Sequence, residues 1–128
     1  VDGDGKGLAF ADFDGDGWPD LVATQNNDRL LAFRNTGARG TEPFKVRLHG
    51  LPGNPDGVGS RVTVTSAGGR TATLEVHAGG GYLSQSSATL FFASGPIENV
   101  RVRWPDGRES TARPAPDVRT LSVPYPER

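Results

Sequence analysis

The chain has 128 residues, and its 18 glycines, 10 prolines and 34% hydrophobic content disfavour long helices and favour short strands joined by turns. Its 14 basic and 15 acidic residues give a formal net charge of −1, which argues against a general affinity for nucleic acid or an anionic membrane surface. The sequence contains no cysteine, which excludes disulfides, cysteine-based zinc sites and a cysteine nucleophile.

The first residues, Asp2-Gly3-Asp4-Gly5-Lys6, place two carboxylates at alternating positions and a lysine at the next one. Because Lys6 stands where a third acidic ligand would be needed, we predict a flexible entry segment here. A cation site completed by residues upstream of Val1 is the alternative.

The next segment, Asp12-Phe13-Asp14-Gly15-Asp16-Gly17-Trp18-Pro19-Asp20, carries four aspartates, three of them at alternating positions. Carboxylates a few ångströms apart repel one another unless a cation lies between them. Ca²⁺ takes about six to eight oxygen ligands, and a loop around it supplies alternate side chains and a backbone carbonyl. The spacing therefore predicts a calcium site whose ligands are the carboxylates of Asp12, Asp14, Asp16 and Asp20 and the main-chain oxygen of Trp18. We expect Gly17 to make the sharp turn and Gly15 to relieve crowding between two ligands.

The aspartate loop differs from an EF-hand, because the bidentate glutamate expected at the twelfth position is Ala23. Strand-like sequences flank the loop at residues 8–11 and 21–24, and a third predicted strand covers residues 30–34. With these features, residues 7–37 resemble one FG-GAP/VCBS repeat, the calcium-bearing blade unit of integrin-type β-propellers. The resemblance implies a blade-like calcium-binding unit over residues 1–37. The alternative is an acidic, solvated hairpin turn rich in Asp-Gly, which explains one Asp-Gly pair but not the alternating register.

A polar linker is predicted at residues 38–43, and after it the sequence alternates regularly. Phe44, Val46 and Leu48 are separated by polar residues, as in a strand with one buried side. Further strands are predicted at residues 61–66, 70–78, 89–93, 99–104, 108–112 and 119–123, with hairpin turns at Gly68-Gly69 and Pro105-Asp106-Gly107. About seven short strands predict a small β-sandwich or barrel over residues 44–128. The predicted fold class is therefore all-β: one propeller-blade-like calcium hairpin unit and a small sandwich or barrel.

Three segments of this second part resemble a known domain. Residues 54–64 read NPDGVGSRVTV, residues 79–86 read GGGYLSQS and residues 100–107 read VRVRWPDG. Their order and spacing are similar to the ASPIC/UnbV domain, and the resemblance extends from Phe44 to about Pro124. That domain typically follows FG-GAP/VCBS repeats at the C-terminus of secreted proteins, including the cartilage acidic protein group. The resemblance implies a fold and a context but no assigned activity.

No set of residues in the sequence predicts catalysis. His49 and His77 alternate with other strand residues, as exposed or satisfied sheet histidines do. The serines Ser84, Ser86 and Ser87 lack the glycine pattern of a nucleophile elbow, so we expect them to form hydrogen bonds in an irregular turn. We therefore predict that the chain is not an enzyme.

Residues 79–86 are the best candidate for a recognition surface, because Tyr82, Ser84 and Gln85 suit planar sugar or peptide contacts. Trp104 is a further candidate. Tyr82 and Trp104 have a structural alternative as core residues of the sandwich. Five arginines could form a basic strip, or they could be ordinary protection of edge strands: Arg61, Arg70, Arg101, Arg103 and Arg108.

The sequence therefore predicts a calcium-stabilised, non-enzymatic module of a secreted protein, used for adhesion, scaffolding or ligand recognition. The alternative is an accessory, carbohydrate-binding domain of a larger polysaccharide-acting enzyme. We expect an extracellular or periplasmic location, where calcium is abundant, and a protein or glycan partner rather than nucleic acid. No apolar stretch approaches the roughly 18 residues of a membrane span. A lone blade cannot cover its own faces, so the side chains that should pack on the sandwich or on another copy of the chain are Phe10, Leu21, Leu31 and Phe33.

Overall fold

A computed structural model describes residues 4–127, and within that range the chain forms ten strands and no helix. The prediction of an all-β fold is confirmed. The strands are β1 (Gly5–Ala11), β2 (Asp20–Gln25), β3 (Leu31–Phe33), β4 (Glu42–His49), β5 (Arg61–Ser66), β6 (Thr71–Glu75), β7 (Leu90–Ser94), β8 (Ile97–Arg103), β9 (Glu109–Ala112) and β10 (Thr120–Pro124). They form three sheets, and none of these closes into a barrel.

The first sheet is an antiparallel meander in the order β1-β2-β3. Phe10 is opposite Leu21, and Leu21 is opposite Phe33 on its other side, so these three side chains share one face. The aspartate loop joins β1 to β2, because β1 ends at Ala11 and β2 begins at Asp20. The sheet therefore fixes both ends of that loop.

The second and third sheets enclose the hydrophobic core. In the second sheet, β4 lies between β10, which is parallel to it, and the antiparallel β7. The third sheet is antiparallel throughout, in the order β6-β5-β8-β9. Both sheets contribute to one buried cluster: Phe44, Val46, Leu48, Val62, Val64, Val76, Phe92, Val100, Val102, Trp104 and Val123. The arrangement is that of a small β-sandwich.

Side-chain alternation along the strands accounts for this core. Phe44, Val46 and Leu48 are buried in β4, whereas Arg47 and His49 are exposed. In β8, Val102 is buried between two exposed arginines. Because successive side chains of a strand point to opposite faces, this alternation gives each sheet one apolar face toward the other sheet.

Glycine turns place the hairpins where the sequence predicts them. Gly68 and Gly69 have φ angles of +86° and +77°, a left-handed conformation that glycine adopts without steric cost, in a three-residue connection closed by the bond from the N–H of Ser66 to the carbonyl of Arg70 at 2.9 Å. Gly107 has φ +88°, and its N–H donates to the carbonyl of Trp104 at 2.9 Å. Both turn predictions are confirmed.

Most predicted strand boundaries are displaced by one to three residues, and three of these differences affect the account of the fold. β1 begins at Gly5, so a flexible entry segment is wrong for Gly5 and Lys6, while Asp2 and Gly3 lie outside the described residues. β4 begins at Glu42, inside the predicted linker. β6 ends at Glu75, although Val76 continues on the inward face, where it is 1% exposed and its N–H donates to the carbonyl of Ser60.

The predicted packing of the first sheet on the sandwich is wrong for Phe10 and Phe33. Their side chains are 43% and 45% exposed, and neither belongs to the core cluster. Instead, the loop after β6 runs along the outer edge of β1. Packing of this sheet on another copy of the chain stays a prediction.

The described residues contain no helix that is both long and apolar enough to cross a membrane.

Candidate metal centre

Three of the predicted acidic ligands come together in the loop between β1 and β2. One carboxylate oxygen each from Asp12, Asp14 and Asp20 lies within 4.8 Å of the others. Asp20 is the first residue of β2 and is only 4% exposed, whereas Asp14 lies on the solvent side of the cluster. One candidate ligand, Asp20, is therefore buried at the start of β2, and the other two, Asp12 and Asp14, belong to the loop that precedes it.

Backbone N–H groups of the loop hold these carboxylates in place. Asp12 accepts from the N–H of Gly15 through Oδ1 at 2.8 Å, and from the N–H of Gly17 through Oδ2 at 3.1 Å. Asp20 accepts from the N–H of Phe13 at 3.0 Å. Such aspartate-to-backbone bonds tighten a loop around its own side chains.

The two loop glycines are both left-handed, with φ +78° at Gly15 and φ +94° at Gly17. The prediction for Gly17 is confirmed. Gly15 has a different role from the one predicted, because a β-carbon there would meet no atom within 4 Å. Its conformation, and not crowding between ligands, calls for glycine.

Two basic side chains lie against the aspartates. Lys45 Nζ, from β4 of the sandwich, is 2.8 Å from Asp12 Oδ2. Arg34 Nε, just beyond β3, is 2.6 Å from Asp14 Oδ2. These cations offset the carboxylate repulsion, and Lys45 also ties the first sheet to the second.

The pKa of Asp12 is lowered from its usual value. Burial acts to raise it, and the hydrogen bond and positive charge of Lys45, together with the N–H donors of Gly15 and Gly17, outweigh that effect. The Asp12 carboxylate is therefore ionised at neutral pH.

The donor set suits Ca²⁺ in both chemistry and size. All three groups are carboxylates, the hard oxygen ligands that Ca²⁺ prefers at about 2.3–2.6 Å. Two oxygens bound to one such ion are at most about 4.6–5.2 Å apart, twice that distance, and the three carboxylate oxygens lie within 4.8 Å of one another. Asp12, Asp14 and Asp20 would hold the ion.

The other two predicted ligands, Asp16 and the Trp18 carbonyl, are not among the three groups that come together. Asp16 lies outside the cluster of three: its Oδ1 accepts from the N–H of Trp18 at 2.9 Å, and its Oδ2 is 3.4 Å from Arg34 Nη2. The indole ring of Trp18 packs over Gly37, where a β-carbon would lie 2.5 Å from it. The Trp18 carbonyl as a ligand stays a prediction.

The predicted recognition residues lie mainly in the loop that covers β1. Ser84 accepts from the N–H of Leu8 at 3.3 Å, Ser86 accepts from the N–H of Phe10 at 3.1 Å, and the N–H of Ser87 donates to the Phe10 carbonyl at 2.9 Å. The hydrogen-bonding role predicted for these serines is confirmed. These serines form hydrogen bonds with the backbone of β1 at the edge where no further strand pairs with it.

The outer side of this loop is open to solvent. Tyr82 is 69% exposed, so its alternative role as a core residue is wrong. Gln85 is also exposed and accepts from the N–H of Gly79 at 3.3 Å. Sequence reasoning missed Leu83, which is 91% exposed with φ +48°. Beside the loop is a groove of about 390 Å³ with Leu8 and Phe10 in its wall.

Trp104 is a core residue and not part of an exposed surface. It is 2% exposed, its Nε1 donates to Ser110 Oγ at 2.9 Å, and it packs edge-on against Tyr125 with ring centroids 5.2 Å apart. Because its side chain is buried in the sandwich, Trp104 is not accessible to a ligand at the surface. His49 and His77 are both exposed, as expected of sheet and loop histidines.

Comparison with known proteins identifies the second part of the chain. Residues 50–128 match the family described as ASPIC and UnbV. No curated protein matches the chain. β4 precedes the matched segment but supplies three core side chains to the same sandwich, so the structural unit begins earlier than the match. Since the match spans more than half of the residues and agrees with the fold, the chain belongs to the ASPIC and UnbV family.

Proposed function

We propose that this chain is a calcium-stabilised, non-enzymatic module of a secreted protein, used for adhesion, scaffolding or ligand recognition. One observation carries the proposal: oxygens of Asp12, Asp14 and Asp20 converge to within 4.8 Å on a loop fixed at both ends by strands. The resemblance of residues 7–37 to an FG-GAP/VCBS repeat supports the same conclusion. A calcium-dependent fold suits an extracellular or periplasmic protein, where the ion is abundant.

Calcium would act on stability and not on a substrate. When bound, the ion cancels the repulsion among the carboxylates and holds the loop to β2 through Asp20. A ligand that binds only the folded state adds RT ln(1 + [Ca²⁺]/Kd) to the free energy of unfolding, about 2.7 kcal/mol at a hundredfold excess over Kd.

The basic side chains around the loop limit how much stability calcium would add. Lys45 and Arg34 already neutralise part of the aspartate charge without an ion. The loop therefore keeps a defined shape in the metal-free protein, and calcium adds stability to a fold that exists without it. We expect a calcium-dependent gain and not calcium-dependent folding.

The test is thermal unfolding in millimolar calcium and in EDTA, with metal content measured on the purified chain. We expect the melting temperature to rise by several degrees in calcium, because about 1 kcal/mol corresponds to roughly 2–5 °C for a chain of this size. Asp14→Asn should reduce this rise, because it removes a ligand charge while the amide oxygen can still bind Ca²⁺ and accept from the N–H of Asp16. Asp28→Asn is the matched control, since Asp28 accepts from the N–H of Arg29 in a turn outside the cluster.

Two results would contradict the proposal. Equal melting temperatures in calcium and EDTA, with no metal on the chain, would reduce the cluster to an ion-pair network with Lys45 and Arg34. An equal loss of the calcium-dependent rise in Asp14→Asn and Asp28→Asn would place the ion elsewhere.

A carbohydrate-binding accessory domain is the alternative function, and the exposure of Tyr82 is the observation that favours it. Tyr82 and Gln85 are open to solvent on one loop, an arrangement suited to stacking and hydrogen bonding with a sugar. Binding of neutral glycans that is lost in Tyr82→Ser would support this alternative. The absence of any neutral glycan ligand would leave the scaffold function.

A further inference from the structure

The outer face of the third sheet carries arginines on its two inner strands. Arg61 is on β5, and Arg101 and Arg103 are on β8, with all three exposed. The strand order β6-β5-β8-β9 places both strands away from the sheet edges. Protection of an edge strand therefore does not explain these residues.

Two of these arginines place like charges side by side. Arg61 is directly opposite Arg103 in the antiparallel pair of β5 and β8. Like charges directly opposite one another destabilise a sheet. A nearby carboxylate compensates Arg61, whose Nε is 3.2 Å from Glu75 Oε2. Across the four strands this row of the sheet reads Glu75, Arg61, Arg103 and Glu109, and of the two arginines only Arg61 forms an ion pair with its neighbouring carboxylate.

Arg101 and Arg103 have no ion-pair or hydrogen-bond partner for their guanidinium groups among residues 4–127. Glu109 is opposite Arg103 on the edge strand β9 but does not form an ion pair with it. Alternate residues of one strand are about 7 Å apart on the same face. The two guanidinium groups therefore present ten N–H donors in total to solvent, about five each.

The surroundings of the two arginines are mostly hydroxyl-bearing, with one carboxylate, that of Glu109, opposite Arg103. Thr63 of β5 and Thr111 of β9 flank Arg101 on its two sides. Threonines also occupy other outward positions of the sheet: Thr65, Thr71 and Thr73. Among the described residues of these four strands, no outward-facing side chain is aromatic.

We propose that this face, defined by Arg61, Arg101 and Arg103 and the threonines around them, binds a sulfated polysaccharide. A guanidinium fork matches the oxygens of a sulfate group, and threonine hydroxyls can bond the sugar hydroxyls between sulfates. A nucleic acid would call for aromatic stacking or a longer basic track, and a membrane would call for exposed apolar side chains. The chain as a whole has a net charge of −1, so binding to a polyanion would come from this local patch.

The experiment measures binding of the full chain to heparin as a function of salt, in calcium and again in EDTA. Arg101→Gln/Arg103→Gln should weaken binding by about tenfold or more at physiological salt, and should lower the slope of log K against log salt by about two. Arg47→Gln is the matched control, because Arg47 is an exposed arginine on β4, the inner strand of the other sheet. It should bind like the wild type.

Two further variants distinguish binding at this face from binding at the loop beside β1 and from a loss of folding. Tyr82→Ser should bind heparin like the wild type, because Tyr82 is on that loop. Arg103→Gln alone should leave the melting temperature unchanged or raise it, since it removes the repulsion from Arg61. A heparin defect in a stably folded protein then reports lost contacts and not lost structure.

The proposal is overturned if the wild-type chain does not bind heparin, or if the double variant and Arg47→Gln lose affinity equally. Tighter binding to duplex DNA or to phosphatidylserine vesicles than to heparin would also overturn it, because the partner would then belong to another class. Binding that persists in EDTA supports the proposal whether or not the aspartate loop holds calcium.

Discussion

Replacing Lys45 by methionine measures how strongly the sandwich is tied to the aspartate loop. Methionine keeps the apolar stem and removes the ammonium group, which leaves the Asp12 carboxylate with backbone N–H donors only. Exposed ion pairs contribute about 0–1 kcal/mol, and breaking a fully buried pair costs about 3–5 kcal/mol. This pair is intermediate, with side-chain exposures of 22% for Lys45 and 9% for Asp12. We therefore expect Lys45→Met to lower the free energy of unfolding by about 1–2 kcal/mol.

Urea denaturation in EDTA is the assay, because calcium would otherwise replace the missing positive charge. Lys6→Met is the matched control: Lys6 pairs with Asp4 at 3.2 Å, but the two side chains are 45% and 66% exposed. Its cost should stay below about 0.5 kcal/mol. If Lys45→Met is no more costly than Lys6→Met, the contact between β4 and the loop does not stabilise the fold and the reasoning is refuted.

The pH dependence of the same variant has a definite sign. The folded-state pKa of Asp12 is lowered, so the stability it contributes is fully present above the unfolded aspartate pKa of about 3.9. That stability is lost as the pH falls through the lower, folded pKa. The difference between wild type and Lys45→Met should therefore shrink below about pH 4.

Two further substitutions test the loop and the edge of the first sheet. Gly37→Ala should destabilise the protein more than Gly40→Ala: both glycines are left-handed, at φ +71° and +76°, but only at Gly37 would a β-carbon lie 2.5 Å from the Trp18 ring. We expect the left-handed backbone to lower the free energy of unfolding by about 1–2 kcal/mol in each variant. The clash with the indole ring should lower it by roughly 1–3 kcal/mol more in Gly37→Ala, as measured by urea denaturation. Ser86→Ala should speed amide exchange at Phe10 about two- to tenfold in a hydrogen-exchange experiment, because it removes the acceptor 3.1 Å from that N–H.

The Gly37 and Ser86 substitutions each have a result that would contradict the expectation. Equal costs for the two glycine variants would mean that the indole ring moves aside freely. Ser87→Ala is the control for the edge, because Ser87 bonds Phe10 through its backbone N–H. Equal exchange at Phe10 in both serine variants would mean that the Ser86 hydroxyl does not protect β1.

Local patterns were sufficient to predict most of the sandwich. Alternation located β4, β5 and β8, and glycine pairs located the hairpin turns, because both signals act over a few residues. The strands were misjudged where a distant contact decides their length. β6 was predicted to reach Ala78 but ends at Glu75, where the pairing becomes irregular: the N–H of Val76 donates to Ser60 while the N–H of Gly59 donates to Val76, and nothing near residue 76 in the sequence encodes that change.

In the candidate site, too, local spacing predicted some residues and distant contacts brought in the others. The aspartate spacing predicted the cluster of Asp12, Asp14 and Asp20, since those residues belong to one short loop. Lys45 was not predicted, because it is 33 residues from Asp12 and resembles any polar residue of an alternating strand. Likewise, the strand order, which no local pattern gives, shows that Arg101 and Arg103 lie on an inner strand.

The parallel pairing of β4 with β10 has a consequence for biosynthesis. Lys45 is opposite Thr120, so the second sheet is completed only when a segment 75 residues further along the chain has been made. Two of the three pairings in the third sheet are hairpins between near neighbours, and its last strand, β9, ends at Ala112, eight residues before Thr120. Until β10 arrives, one side of β4 exposes unpaired backbone groups, which makes a nascent or prematurely terminated chain prone to pairing with its neighbours. The second sheet is therefore completed last, and deletion of β10 should make the protein associate through the open side of β4.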